Sequence, residues 1–186
     1  MELKEIIKNR RSYRSIEPVE ITEELIKELA EATQLAMSCF NNQPWRFVFV
    51  YDKEKHEEMN GALSSGNKWA HHGSMYIVVF SKPDLDCQIK GRDYYLFDTG
   101  MGFAFMILRA ADMGLVIHPM AGFNEEKVKE ILNIPDEMKV ITVAALGKKT
   151  EEIGDFLSDK QLGWEKERPE RMPIDKIVFR NSYEPG

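Results

Sequence analysis

At 186 residues, with 43% apolar and 30% charged residues, the chain has the size and composition of one soluble globular domain with a sizeable core, not of a disordered or fibrous protein. A formal net charge of −6 excludes a general nucleic-acid binder, which needs a basic footprint to release counterions. The richest apolar stretch, around Met101 to Met113, is interrupted by Arg109 and Asp112 and is too short and polar to cross a bilayer.

The first helix is expected from about Leu3 to Arg10. Leu3, Ile6 and Ile7 share one face and Arg10 continues it. A cation where the pattern calls for an apolar residue is costly to desolvate without an anion. Arg11, Ser12 and Arg14 follow at once, and arginine forks beside a hydroxyl suit a phosphate. The alternative is a solvated helix end favoured by the helix dipole. A second helix begins after Thr22, an N-cap followed by Glu23 and Glu24, carries Leu25, Leu29, Ala32 and Ala36 on one face and ends near Met37. The polar loop from Ser38 to Pro44 leads into Trp45 to Tyr51, apolar on both faces after Arg46 and so expected as an interior strand.

Lys53 to Leu63 is expected as a surface helix, Asn67 to Gly73 as a short helical piece, Met75 to Phe80 as a second interior strand and Asp84 to Gly91 as a loop. The longest helix, Asp93 to Met113, is apolar almost all round, which places it at a domain centre or a subunit interface. Its Gly100 and Gly102 point to a closely packed neighbouring backbone. Leu115 to Ile117 is a short strand, Asn124 caps a helix with Val128, Ile131 and Leu132 buried, Pro135 stops it, and Val140 to Leu146 is the next strand. Thr150 to Pro173 is polar and irregular, and Ile174 to Phe179 has the pattern of a last strand. Helices and strands intermix, so the class is α/β or α+β with one sheet of four or five strands.

No Gly-x-Gly-x-x-Gly opens a helix after a strand, and there is no Walker-type loop or serine elbow. His71 and His72 are adjacent, a poor spacing for one metal, while His56 and His118 stand alone, so no metal is expected. Cys39 and Cys87 make no Cys-x-x-Cys and no metal-like grouping, which suits a reducing cytosol. With an amphipathic, charged N-terminus in place of a signal peptide, the expected location is cytoplasmic.

Three motifs carry a resemblance: Arg10-Arg11-Ser12-x-Arg14 after a short helix, Asn41-x-Gln43-Pro44-Trp45-x-Phe47 before the first strand, and Gly114-Leu115 followed by Pro119-Met120-Ala121-Gly122-Phe123. In order and spacing the chain resembles the nitroreductase family of FMN-dependent oxidoreductases over nearly its whole length. The resemblance implies a single FMN-binding domain over 1–186. It also implies an α+β three-layer sandwich with a central, mostly antiparallel sheet of four to five strands, and a homodimer with the long helix and two shared FMN sites at its interface. It assigns Arg10, Arg11, Ser12 and Arg14 to the flavin phosphate and ring edge, and Ser38, Cys39 and Asn41 to the flavin of the other subunit. Asn67 goes to the flavin ring, Ala121 and Gly122 to its reactive face, and Arg171, with Arg168 beside it, to the phosphate. Cys39 stands where the family usually has a second serine, Ala70 where a lysine is frequent, and Ala121 where many relatives have an acidic residue. Trp45 is expected in the core. By their residue types alone, Asn41 and Gln43 suit strand-end hydrogen bonding, Asn67 a helix N-cap and Gly122 a turn.

The activity so implied is hydride transfer from NADH or NADPH to FMN and on to a small acceptor such as a quinone or nitroaromatic. Both substrates use one flavin face in turn, which gives ping-pong kinetics, and no side chain serves as nucleophile or obligatory base. Arg14 supports the reduced flavin. The alternatives are a specialised flavin enzyme of the same fold and a non-catalytic flavin-binding or ligand-sensing protein on the same scaffold; no nucleic acid or membrane partner is expected.

Overall fold

A computed structural model describes residues 2–152, 154 and 156–183. In chain order, helix α1 (Leu3–Asn9), strand β1 (Ile16–Glu17) and helix α2 (Glu23–Gln34) precede a 3₁₀ turn at Cys39–Asn41. Strand β2 (Arg46–Val50), helix α3 (Lys53–Asn60), a 3₁₀ segment at Ser65–His72 and strand β3 (Met75–Ser81) follow. After the small strands β4 (Gln88–Ile89) and β5 (Arg92–Asp93) come helix α4 (Tyr95–Asp112), strand β6 (Leu115–Met120), helix α5 (Glu125–Leu132), strand β7 (Lys139–Lys149) and helix α6 (Asp159–Lys166). The helix starts are written in the sequence. Thr22 Oγ1 accepts from the Leu25 amide at 3.1 Å, Asn124 Oδ1 from the Lys127 amide at 3.0 Å, and Ser158 with Gln161 forms a capping box.

The main sheet has five strands, all paired antiparallel. β7 lies between β3 and β6, β1 adds to the far end of β7, and β2 closes the β3 side. The sheet divides the core in two, because alternate residues of a strand face opposite sides. Met75, Ile77 and Val79 of β3 join Ala144 and Leu146 of β7 under α2 and α4, through Leu25, Leu29, Phe103 and Met106. Tyr76, Val78, Val143 and Ala145 face the other way, onto Met59, Trp69 and Val128. A register shift between Val79 and Phe80 skips Ile141, so Val140 and Val143 reach the same side. The result is the α+β, three-layer arrangement implied above.

Several expectations need correction. The run after Trp45 forms a sheet edge and not an interior strand: β2 pairs with β3 and ends the sheet. It is apolar on both faces because Phe47 and Phe49 pack toward α2 and α4 while Val48 and Val50 pack on the opposite cluster. Two-sided coverage by helices leaves the same pattern as a central position. The expected loop at Asp84 to Gly91 contains half of the β4–β5 ladder, turned by Lys90 and Gly91 at φ of 52° and 76°. The stretch from Thr150 to Pro173 is not irregular throughout, since it contains α6. Ile174 to Phe179 is no strand but a 3₁₀ turn at Ile174–Lys176 followed by exposed chain; its apolar residues meet no sheet edge.

The sulfur chemistry also differs from expectation. Cys39 and Cys87, 48 positions apart, form a disulfide, and Asp86 offers a carboxylate oxygen beside both sulfurs, all within 4.8 Å. Folding thus creates a grouping that no spacing in the sequence displays.

Helix α4 is buried on one face only, through Asp98, Thr99, Gly102, Phe103, Met106 and Ala110, while Phe97 stays 63% exposed. The two glycines differ. A Cβ on Gly102 would stand 2.8 Å from a Trp45 ring carbon and 3.1 Å from Thr33 Cγ2, whereas one on Gly100 would meet nothing within 4 Å. Side chains, not a neighbouring backbone, therefore press on Gly102. Gly102→Ala is expected to destabilise the fold by about 1–3 kcal/mol through overpacking, and Gly100→Ala to stabilise it by roughly 0.5–1 kcal/mol through backbone entropy. Urea unfolding of both variants checks this, and equal effects would refute the steric account.

Candidate active site

Helix α1 stops at Arg10, whose amide still bonds the Ile6 carbonyl at 2.9 Å while its own backbone is extended. The chain then runs outward as Arg11, Ser12 and Arg14 before β1. From the other end of the sequence, α6 and the segment behind it return to this spot. Arg10, Arg11, Ser12, Arg14, Arg168 and Arg171 line one cavity of about 270 Å³, with His118, Trp164 and Pro169 completing the wall. Five guanidinium groups and no carboxylate among the described lining residues give this cavity a positive potential.

The two ends are tied by directed bonds. Glu165, buried on α6, accepts from the Arg14 amide at 2.9 Å and the Ser15 amide at 3.1 Å. Arg168 donates to the carbonyls of Lys8 at 2.7 Å and Arg10 at 2.6 Å, and Arg11 donates to the Trp164 carbonyl. Arg10 also reaches Ser12 Oγ at 3.3 Å. The Arg14 guanidinium lies 5.4 Å from the Trp164 ring centre and 5.9 Å from that of Trp69, within cation–π reach. Burial, then the charges of Arg168 and Arg171, holds Arg10 below the usual arginine pKa. Burial lowers Arg14 as well, against the pull of Glu165. In both, burial is the largest cause, and only Arg10 is lowered further by like charges.

His118 lies on the buried face of β6, between Val116 and Met120 in the alternation. Its Nδ1 is 3.0 Å from the Tyr13 carbonyl oxygen, so the ring donates there and carries its free lone pair on Nε2. Its ring centre is 4.4 Å from that of Trp69. Burial first, with Arg14 and Arg10 adding to it against the Tyr13 bond and Glu165, pushes His118 down to about 4.

The remaining residues assigned from sequence fall into two further groups. Asn67 Nδ2 donates to the Gly122 carbonyl at 2.9 Å, which also accepts from the Ser64 amide at 2.9 Å. A Cβ on Gly122 would stand 2.9 Å from Asn67 Nδ2, so the contact requires glycine. Ala121 follows β6 and is exposed. Ala70, where a lysine is frequent in the resemblance, is fully buried beside Trp69. Ser38, Cys39 and Asn41 line none of the arginine cavity. They form a separate turn in which Ser38 Oγ accepts from the Gln43 amide at 3.0 Å, and the Cys39 sulfur is bonded to Cys87. Trp45 is in the core, as expected. Sequence reasoning passed over His118, Trp164 and Glu165. The one signal available was Ser158-Asp159-Lys160-Gln161, a capping-box pattern that announces α6.

A family model described as Nitroreductase family matches residues 7–69 and 64–148. A protein of Archaeoglobus fulgidus with the provisional name NADH dehydrogenase/NAD(P)H nitroreductase is 29% identical over 179 residues, covering 92% of this chain and 96% of its own. Among solved structures, an oxidoreductase containing FMN superposes with a TM-score of 0.83 at 26% identity, covering 97% of this chain and 92% of that one. A nitroreductase family protein of Clostridium novyi gives 0.75 at 28% identity over 81% and 87%. Among the described residues no helix is long and apolar enough to cross a membrane.

Neutral burial of His118 has a consequence for stability. Its folded pKa of about 4 lies below the unfolded value of about 6.5. Above pH 6.5 both states are neutral there; as pH falls toward 4 only the unfolded chain takes the proton, and stability drops by about 3 kcal/mol. His118→Asn keeps a donor for the Tyr13 carbonyl and removes the titration. Urea midpoints between pH 4 and 7 are expected to fall less steeply in the variant, and an identical pH dependence would refute the assignment.

Proposed function

The chain belongs to the nitroreductase family, and from that premise we propose that it is an FMN-dependent oxidoreductase using NADH or NADPH to reduce a small acceptor such as a quinone or nitroaromatic. The observation that carries this reading is the cavity in which Arg10, Arg14, Arg168 and Arg171 converge with Ser12. The residues fit the phosphate end of such a cofactor: a dianion would offset the mutual repulsion of Arg10, Arg168 and Arg171. FMN, when bound, supplies the hydride-accepting and hydride-donating centre.

The protein's part is to bind, orient and polarise. Arg10, Arg168 and Arg171, with the Ser12 hydroxyl, hold the phosphate. Arg14, fixed between two tryptophan rings and backed by Glu165 at its own amide, presents a positive charge to the ring edge and favours the reduced, anionic cofactor. Asn67, anchored by the Gly122 carbonyl, and the backbone at Ala121 and Gly122 face the ring. Ser38 and Asn41 serve the site of a second copy. A homodimer accounts for the large apolar side chains left in solvent: Phe40 at 86%, Ile174 at 75% and Phe97 on α4. Light scattering at micromolar concentration is expected to return a dimer, and a flavin-loaded, active monomer would overturn this part.

Anaerobic titration with NADH and NADPH tests the central reading. The purified protein is expected to be yellow and to bleach with one of them. A yellow protein that neither donor bleaches is a flavin binder and not an enzyme, and a protein that takes up no flavin refutes both.

Two variants separate the roles of the arginines. Arg10→Ala removes a charged partner of the phosphate, worth about 2–5 kcal/mol, so FMN affinity falls at least about 30-fold. Arg14→Gln is expected to retain FMN but to lower the two-electron potential by about 30–60 mV, the equivalent of roughly 1.4–3 kcal/mol. Fluorescence titration and a dithionite redox titration measure these quantities. An unchanged potential at full occupancy returns Arg14 to a purely structural role.

A further inference from the structure

We propose that Cys39 and Cys87 form a reversible dithiol–disulfide site whose oxidation state sets the conformation of the loop from Ser38 to Gln43. These are the chain's two cysteines, and folding brings their Cα atoms to 6.1 Å across 48 positions of sequence, a separation a disulfide spans without backbone movement. Cys39 lies in a half-buried loop, so the pair is close to the surface.

The loop it holds is one that relaxes when untied. Phe40, Asn41 and Gln43 have φ of 47°, 58° and 49°, the left-handed region that side chains disfavour. Phe40 adds no packing to the core of its own chain, so within one subunit the disulfide and the hydrogen bonds of the loop hold this shape, and in the dimer proposed above a second copy would cover the ring. Inside the loop, the Asn41 amide bonds the Ser38 carbonyl at 3.1 Å and the Asn42 amide bonds the Cys39 carbonyl at 3.0 Å. The Gln43 amide bonds Ser38 Oγ at 3.0 Å. Outward ties converge on one spot: the Cys39 amide donates to Asp98 Oδ2 at 2.6 Å, and Asn42 Nδ2 to Asp86 Oδ1 at 3.2 Å. The disulfide is the covalent member of this set.

The surroundings accommodate both oxidation states. The Asp86 carboxylate lies beside both sulfurs and faces the Asp98 carboxyl, whose pKa is raised by burial and by Asp86. A thiol brings this acidic cluster a hydrogen that the disulfide lacks. In the reduction, one thiolate of a dithiol reductant attacks a protein sulfur and forms a mixed disulfide while the other cysteine leaves. The reductant's second thiol then closes its own disulfide, and two electrons and two protons have passed to Cys39 and Cys87. Resting on the flavin reading above, the oxidised loop holds Ser38 and Asn41 toward the flavin of the second subunit, and reduction weakens FMN binding.

Thiol alkylation with mass spectrometry, amide hydrogen exchange and FMN titration, all on the full chain with and without dithiothreitol, test this. Air-oxidised protein is expected to resist alkylation at both cysteines and reduced protein to label at both. On reduction, the amides of residues 39 and 41–43 should exchange at least about tenfold faster while those of 76–79 do not change. Cys39→Ser and Cys87→Ser should show the fast exchange with or without reductant. Free thiols after oxidation, or full reduction without faster exchange in the loop, overturn the proposal; the wild-type comparison stands even if a variant fails to fold. FMN affinity should fall several-fold on reduction of the wild type and not respond to dithiothreitol in Cys39→Ser. Equal affinity in both states refutes the coupling to flavin. A protein that binds no FMN but whose loop responds keeps the switch and loses the flavin reading.

Discussion

Repulsion among Arg10, Arg11, Arg14, Arg168 and Arg171 is the constraint around which the functional end of the molecule is organised. Guanidinium groups drawn from positions more than 150 residues apart converge on one cavity, and nothing in their mutual electrostatics favours it. The assembly holds because its ties are directed and largely neutral on the accepting side: backbone carbonyls of Lys8, Arg10 and Trp164 take Arg168 and Arg11. The buried Glu165 is the exception, and its carboxylate is committed to the Arg14 and Ser15 amides. It anchors the strand leaving the motif without filling the cavity, so the positive potential stays available to a ligand. Such preorganisation is what makes fixed charges effective in a partly dry site.

The floor of the cavity shows the same economy of charge. His118 occupies a buried position on β6 where a further cation would deepen the repulsion, and burial with the nearby arginines keeps it neutral. Its ring meets Trp69, and Trp69 belongs to the same 3₁₀ segment as Asn67. One short segment of backbone, kinked at Asn67, therefore connects the arginine cavity to the Asn67–Gly122 contact.

The opposite side of the sheet carries a different kind of incompleteness. α2 and α4 cover the face formed by Met75, Ile77, Val79 and Leu146, yet α4 turns Leu96, Phe97 and Phe105 outward. The loop after α2 and the C-terminal segment also expose apolar side chains. The homodimer proposed above would cover this apolar surface on the elements flanking the candidate site.

The sequence by itself determined the elements with strong local signals. Thr22 and Asn124 mark helix starts because a side-chain oxygen caps an amide three residues on, and the unbroken apolar run of β3 marks a strand covered on both faces. The basic motif after α1 marked a candidate anion site, because arginines at an apolar position demand a partner, with a solvated helix end as the alternative. Only the tertiary structure decided what those residues meet. That β2 is an edge, that Ile174 to Phe179 joins no strand among the described residues, and that side chains of Trp45 and Thr33 crowd Gly102 depend on neighbours far away in sequence. The same holds for Glu165 beneath Arg14, for neutral His118, and for the sulfur bridge between Cys39 and Cys87. Local pattern records the solvent a residue is to face, whereas partners across the fold are set by chain topology, which no window of sequence contains.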